Sequence, residues 1–130
     1  MRLLLDTHVA LWATTEPERI PPAIADLIAD TDNEVFVSAV SLWEIAIKRS
    51  LRRNPATMPI SAADAQREFV AVDFAILNVT PEHAIAVETL PPLHGDPFDR
   101  LIVAQALTEP MRLVTHDAAL SAYSDTVILF

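Results

Sequence analysis

The sequence predicts an α/β fold, a three-layer α/β/α sandwich around a short central parallel sheet of four to five strands. Three observations predict it. Short, uninterrupted apolar runs recur along the chain, as strands buried on both faces of a parallel sheet require. Helix-like stretches alternate with them, the pattern of parallel strands joined by crossover helices. The ten prolines and the single glycine are scattered, so they punctuate one domain, residues 1–130, with no linker, repeat or low-complexity tract.

Taken in order, Leu3-Leu4-Leu5 is the first strand, and Asp6 stands where it can cap a helix over Thr7 to Thr14. A helix over Pro22 to Asp30 leads to a second strand, Glu34 to Ser38, and then to a helix over Val40 to Leu51 with Trp43 in the core. Arg52 to Pro59, with two prolines and part of a basic cluster, is expected as a surface loop. A helix over Ser61 to Val72 and a strand over Ala75 to Val79 follow. Thr80-Pro81 and Asp96-Pro97 each set a capping side chain before a proline whose missing N–H is harmless in a first helical turn. They open helices over Pro81 to Leu90 and Pro97 to Thr108. Met111 to Thr115, a short helix over Ala118 to Ala122 and a last strand, Val127 to Phe130, complete the order.

Composition removes several function classes. With 130 residues and 52% apolar content, a fold buries roughly two thirds of its unfolded surface and needs no staple. The absence of cysteine excludes zinc fingers, disulfide scaffolds and thiol catalysis. No apolar run approaches the roughly 20 residues that span a bilayer, and Asp6 interrupts the first one. A cytoplasmic protein without a membrane partner is expected. Eighteen acidic against nine basic residues give a net charge of −9, so any nucleic acid must be held locally rather than by bulk attraction.

In an open parallel sheet the ligand site lies beyond the carboxyl ends of the strands. Asp6 follows the first strand, Ser38 closes the second with Glu44 two turns on, Asp99 sits in the first turn of the Pro97 helix, and Thr115-His116-Asp117 closes the fourth strand. Each has a structural alternative. Asp6 and Asp117 read as helix caps, Asp96 as the cap of the Pro97 helix, Asp99 as a dipole-favourable residue, and buried Glu44 as the ion-pair partner of Lys48. Several carboxylates within a few ångströms stay ionised together only if cations neutralise them. Hard oxygen ligands select Mg²⁺ or Mn²⁺, ions that activate water and neutralise charge on a phosphoryl group. Phosphodiester hydrolysis is the reaction that suits such a set.

The run Lys48-Arg49-Ser50-Leu51-Arg52-Arg53 either complements a helix C-terminus or contacts phosphate. His8, His94 and His116 lie beside the acids without a ligand-type spacing, so capping, substrate contact or exposure is expected of them. A chain with one glycine has no Gly-rich nucleotide loop.

Four segments together resemble the PIN-domain ribonucleases, and among them the VapC-type toxins of toxin–antitoxin pairs. They are Leu3-Leu4-Leu5-Asp6-Thr7-His8, the stretch Ser38 to Lys48 containing Ser41-Leu42-Trp43-Glu44, the stretch Leu90 to Ala106 containing His94-Gly95-Asp96-Pro97-Phe98-Asp99-Arg100, and Leu113-Val114-Thr115-His116-Asp117. The resemblance implies that Asp6, Glu44, Asp99 and Asp117 form an acidic, metal-binding quartet, with Asp6 and Asp99 its most direct ligands. Ser38, Thr7 and Thr115 would support it, and Asp96 would replace or assist Asp117. It implies one or two Mg²⁺ or Mn²⁺ ions, an RNA substrate cut by metal-activated water, a cognate antitoxin, and a homodimer within a higher assembly. Lys48, Arg49, Arg52, Arg53 and Arg100 are candidate RNA contacts; for Arg100 a surface pair with Asp96 is the alternative. Apolar surface for such partners is expected at Trp12, at Ile20-Pro21-Pro22 and, as the alternative to its core place, at Trp43. The competing reading is a non-catalytic PIN-like binding module whose acidic pocket receives a basic peptide. A phosphatase using Asp6 as nucleophile is disfavoured, because no Asp-x-Asp start and no late lysine is present.

Overall fold

The computed structural model describes residues 1–51 and 58–130, so Arg52 and Arg53 lie outside the described residues. Five parallel strands, β1 (Arg2–Leu5), β2 (Glu34–Ser38), β3 (Ala75–Leu77), β4 (Arg112–Thr115) and β5 (Ile128–Leu129), form one sheet in the order β3-β2-β1-β4-β5. Central β1 sets Leu4 opposite Phe36 on one side and Leu113 on the other. Alternation along these strands divides the core. Leu3, Leu5, Val35, Val37 and Val114 face one layer, and Leu4 and Leu113 face the other.

The first layer is built by α1 (Thr7–Thr15) and α4 (Ala62–Ala71), through Val9, Leu11, Ala65 and Phe69, with α2 (Pro22–Ala29) packed at its margin. The second is built by α6 (Pro97–Thr108), through Ile102, Val103 and Ala106, and by Leu120 of α7 (Ala118–Ser121). Helix α3 (Ala39–Ser50) bridges them, giving Ile45 to the first and Val40 to the second. The expected three layers and parallel sheet are therefore present. The helix expected over Pro81 to Leu90 is shorter: α5 (Pro81–Ala86) tightens into a 3₁₀ turn at Val87–Thr89, the usual way a helix end satisfies its last carbonyls.

Trp43 departs from its expected place. It is 55% exposed and stands edge-to-face with Phe98 at 5.0 Å. Leu42-Trp43-Glu44-Ile45-Ala46-Ile47 is apolar on every side except Glu44, so its pattern carries no facing signal, and Glu44 rather than Trp43 turns inward.

Ser38 is fully buried at the end of β2. Its Oγ accepts from the Val40 amide at 3.0 Å, capping α3, and donates to Gln105 Oε1 at 2.5 Å. The Gln105 amide continues to the Asn78 carbonyl at 3.4 Å and to Nδ1 of buried His83 at 3.3 Å. His83 Nε2 in turn meets Glu109 Oε2 at 2.5 Å, a bond that, ahead of any other influence, holds the Glu109 carboxyl below the usual carboxylate range. This network locks α3 to α6, the two helices that carry Glu44 and Asp99. Ser38→Ala removes a cap and strands a buried amide oxygen, so a loss of about 1–2 kcal/mol in denaturant unfolding is expected; an unchanged midpoint would refute the coupling.

Candidate metal centre

The strand order reverses between β1 and β4, since the chain runs from β1 outward to β3 and then crosses back to β4. That switch point, at the carboxyl ends of the strands, is where an open α/β sheet offers a crevice. A cleft of about 330 Å³ opens there, lined by Asp6, Glu44, Lys48, Asp96, Asp99 and Asp117 together with His8, Trp12 and His116. All four acids of the expected quartet reach it.

Each acid is held by local geometry. Asp6 follows β1 and caps α1: Oδ1 accepts from the Thr7 amide at 2.8 Å and Oδ2 from Thr115 Oγ1 at 2.8 Å. Burial pushes its carboxyl above the ordinary value against the opposing pull of these two bonds, and the charge of Glu44 adds to the rise. Glu44 is buried, with Oε1 accepting from Thr7 Oγ1 at 2.8 Å and Oε2 from Lys48 Nζ at 2.6 Å. Ser41 Oγ joins Thr7 Oγ1 at 2.8 Å. Burial works against the Lys48 ammonium, but the Glu44 hydrogen bond and the charges of Glu44, Asp96 and Asp99 outweigh it and hold its pKa above that of an ordinary lysine. Lys48 is therefore a counter-ion inside the cleft as well as a candidate substrate contact.

Asp96 caps α6 through the Phe98 amide at 2.8 Å, which frees Asp99, one turn on, to face the cleft. Among the described residues no hydrogen bond is donated to the Asp99 carboxylate, and His94 Nε2 stands 3.5 Å from its Oδ2. Burial, then the charges of Asp6, Asp96 and Glu44, raise its pKa to about 7, with His94 pulling weakly the other way. Asp117 caps α7 through the Ala119 amide at 3.0 Å and turns its second oxygen to His94 Nε2 at 3.0 Å. Thr115 binds both ends of the site: its Oγ1 donates to Asp6 and accepts from the Asp117 amide at 3.0 Å. The capping and ion-pair alternatives for these acids are thus geometrically real, and they coexist with convergence in one cleft.

Other expected site residues sit differently. Ser38 touches none of the acids, because its hydroxyl is engaged by Val40 and Gln105. The Arg100 guanidinium forms no ion pair with Asp96. It donates to the carbonyls of Pro91 (3.0 Å), Val87 (3.3 Å) and Leu90 (3.5 Å) and to Tyr123 (3.3 Å), pinning the segment before α6. Arg49 donates to the Met58 carbonyl at 2.9 Å. Sequence reasoning passed over Ser41, Gln105 and the contacts of His94. Gln105 alone left a signal, a polar side chain inside the apolar run Leu101 to Ala106.

The chain matches the family model of the PIN domain over residues 3–125. It belongs to the PIN-domain family. A relative, Ribonuclease VapC22 of Mycobacterium tuberculosis, is 35% identical over 122 residues, which span 93% of this chain and 91% of that protein. The fold is shared with VapBC2 from Rickettsia felis bound to a DNA fragment from their promoter, at a TM-score of 0.72 and 18% identity over 100% of this chain and 98% of that one. It is shared as well with a toxin-antitoxin complex from Klebsiella pneumoniae, at a TM-score of 0.57 and 19% identity over 97% and 95%.

The PIN-domain acids fit a hard divalent cation on the chemistry of their donors. Five carboxylates line the cleft, and Asp99 is pushed to about 7 by burial and by neighbouring negative charge, the condition that a bound cation relieves. Asp99, His94 and Asp117 also bring ligand-type atoms within 4.8 Å of one another.

Proposed function

We propose that this protein is a Mg²⁺- or Mn²⁺-dependent endoribonuclease, using one or two ions, and the toxin of a toxin–antitoxin pair. The carrying observation is the convergence of Asp6, Glu44, Asp99 and Asp117 in one cleft, with the pKa of Asp99 raised to about 7 by burial first and then by the neighbouring charges. The relative's name, Ribonuclease VapC22, supports the activity, and the toxin-antitoxin complex of the same fold supports a protein partner.

Asp6 and Asp99 would hold the ion, with Glu44 and Asp117 completing the set. A divalent cation there supplies a low-pKa water and neutralises charge building on the phosphoryl group. The chain's own residues do the rest. Thr115 and the Thr7 amide fix the Asp6 carboxylate, so its lone pairs need no reorganisation. Thr7 Oγ1 and Lys48 fix Glu44, and Lys48 offsets charge where a phosphate would otherwise be repelled. With a chain charge of −9, RNA is expected to bind weakly unless the divalent ion is present.

A single domain over residues 1–130, a homodimer and a cytoplasmic setting belong to the same reading. Among the described residues no helix is long and apolar enough to cross a membrane.

The test is incubation of the purified protein with a pool of structured RNAs, with Mg²⁺, with Mn²⁺ and with EDTA. Cleavage with either ion that EDTA abolishes is expected. Cleavage that survives EDTA would reject the metal; intact RNA under all conditions would favour the peptide-binding module.

A further inference from the structure

His94 is tied down at both ring nitrogens. Its Nδ1 accepts from the Asp96 backbone amide at 3.0 Å, so in the neutral ring the proton sits on Nε2. That Nε2–H faces two acids, 3.0 Å from Asp117 Oδ2 and 3.5 Å from Asp99 Oδ2. The ring is half-buried, and Asp96 is itself the cap of α6, so the tether and the Asp99 helix share one short turn.

Proximity alone would count His94 with Asp99 and Asp117 as a ligand set. The hydrogen bonds argue otherwise. To ligate through Nε2 the neutral ring must move its proton to Nδ1, where it would meet the Asp96 N–H, donor against donor. As seated, the ring puts an N–H donor within 3.5 Å of both acids, so an ion drawing on Asp99 and Asp117 together must displace it from the space they share.

Resting on the nuclease reading of this cleft, the geometry points to His94 as a positioning residue that competes with the divalent ion for Asp117 rather than joining its ligands. It holds the fourth carboxylate in place while the ion is absent. Ion binding is then coupled to withdrawal of the imidazole, and affinity for the ion alone is kept low.

His94→Asn separates the two ring contacts, because its side-chain oxygen can still accept from the Asp96 amide while its reach falls short of Asp117. Mn²⁺ is titrated calorimetrically, without RNA, into wild type, His94→Asn and His94→Ala. A Kd lower by roughly 3–10-fold in both variants is expected, the equivalent of releasing one hydrogen bond of typical net strength. A weaker Kd would show that the ring is itself a ligand, and an unchanged one that it does not meet the ion at all; either overturns the proposal, as does absence of binding in all three proteins. A ring that only braced the turn would lower the metal-free melting temperature without tightening Mn²⁺. RNA cleavage by wild type is scored in parallel: cleavage with an unchanged Kd removes the His94 proposal alone, and a lowered Kd without cleavage removes the nuclease reading alone.

Discussion

Replacing Asp99 with Asn is expected to raise the melting temperature of the metal-free protein while cutting metal-dependent RNA cleavage by roughly 10²–10³-fold. Both effects have one origin. Asp99 titrates at about 7 in the folded chain against 3.8 for the free group, so between these values the folded state binds more protons than the unfolded one. Stability contributed by this group is therefore fully present below pH 3.8 and is lost as pH rises through about 7. The amide removes that loss. The gain of Asp99→Asn should be absent near pH 4, grow across the window, and level off above about pH 8 at roughly 1–2 kcal/mol once solvent screening in the open cleft is allowed for. For a domain of this size that is a rise of about 2–8 °C. Addition of Mn²⁺ should stabilise wild type and leave the variant nearly unmoved, and the Mn²⁺ needed by wild type should increase below pH 7, where proton and ion compete for the same oxygen. Scanning calorimetry across pH, with and without Mn²⁺, reads all of this; a variant that melts lower than wild type at pH 8 would show that Asp99 serves the fold rather than an ion.

The contrast between this acid and its neighbours explains what the sequence can and cannot convey. Strand ends followed by a capping acid are local patterns, so Asp6, Asp117 and the start of α6 at Pro97 are readable residue by residue. Their convergence follows from a rule of parallel sheets rather than from any local signal. What escapes is decided across the chain. Ser38 meets Gln105 67 positions away, and His94 meets Asp117 23 positions away; neither spacing has a periodicity to betray it. Nothing local to Arg100 announces the carbonyls of the preceding segment that its guanidinium meets. Trp43 fails for the opposite reason, since a helix apolar nearly all round offers no contrast from which to choose a face.

Thr115→Val is expected to produce the second large effect, from a residue that touches no substrate. Valine keeps the volume but loses the hydroxyl, so Asp6 forfeits a donor and the Asp117 amide an acceptor in one step. Because Thr115 is fully buried, water cannot fully replace either bond, and a stability loss of about 1–3 kcal/mol should follow. The Thr115 bond is also what most strongly opposes the burial-driven rise in the Asp6 carboxyl. Without it Asp6 holds its proton to higher pH and gives it up less readily to an ion. Mn²⁺ affinity and RNA cleavage should each fall by roughly 10–100-fold, the range for partners that orient metal-binding carboxylates, and part of the loss should return on raising the pH. Thr115→Ser, which keeps the oxygen, should recover ion affinity even where the missing methyl leaves stability reduced. If serine and valine weaken Mn²⁺ equally, Thr115 acts through packing, and its hydroxyl has no part in preparing Asp6.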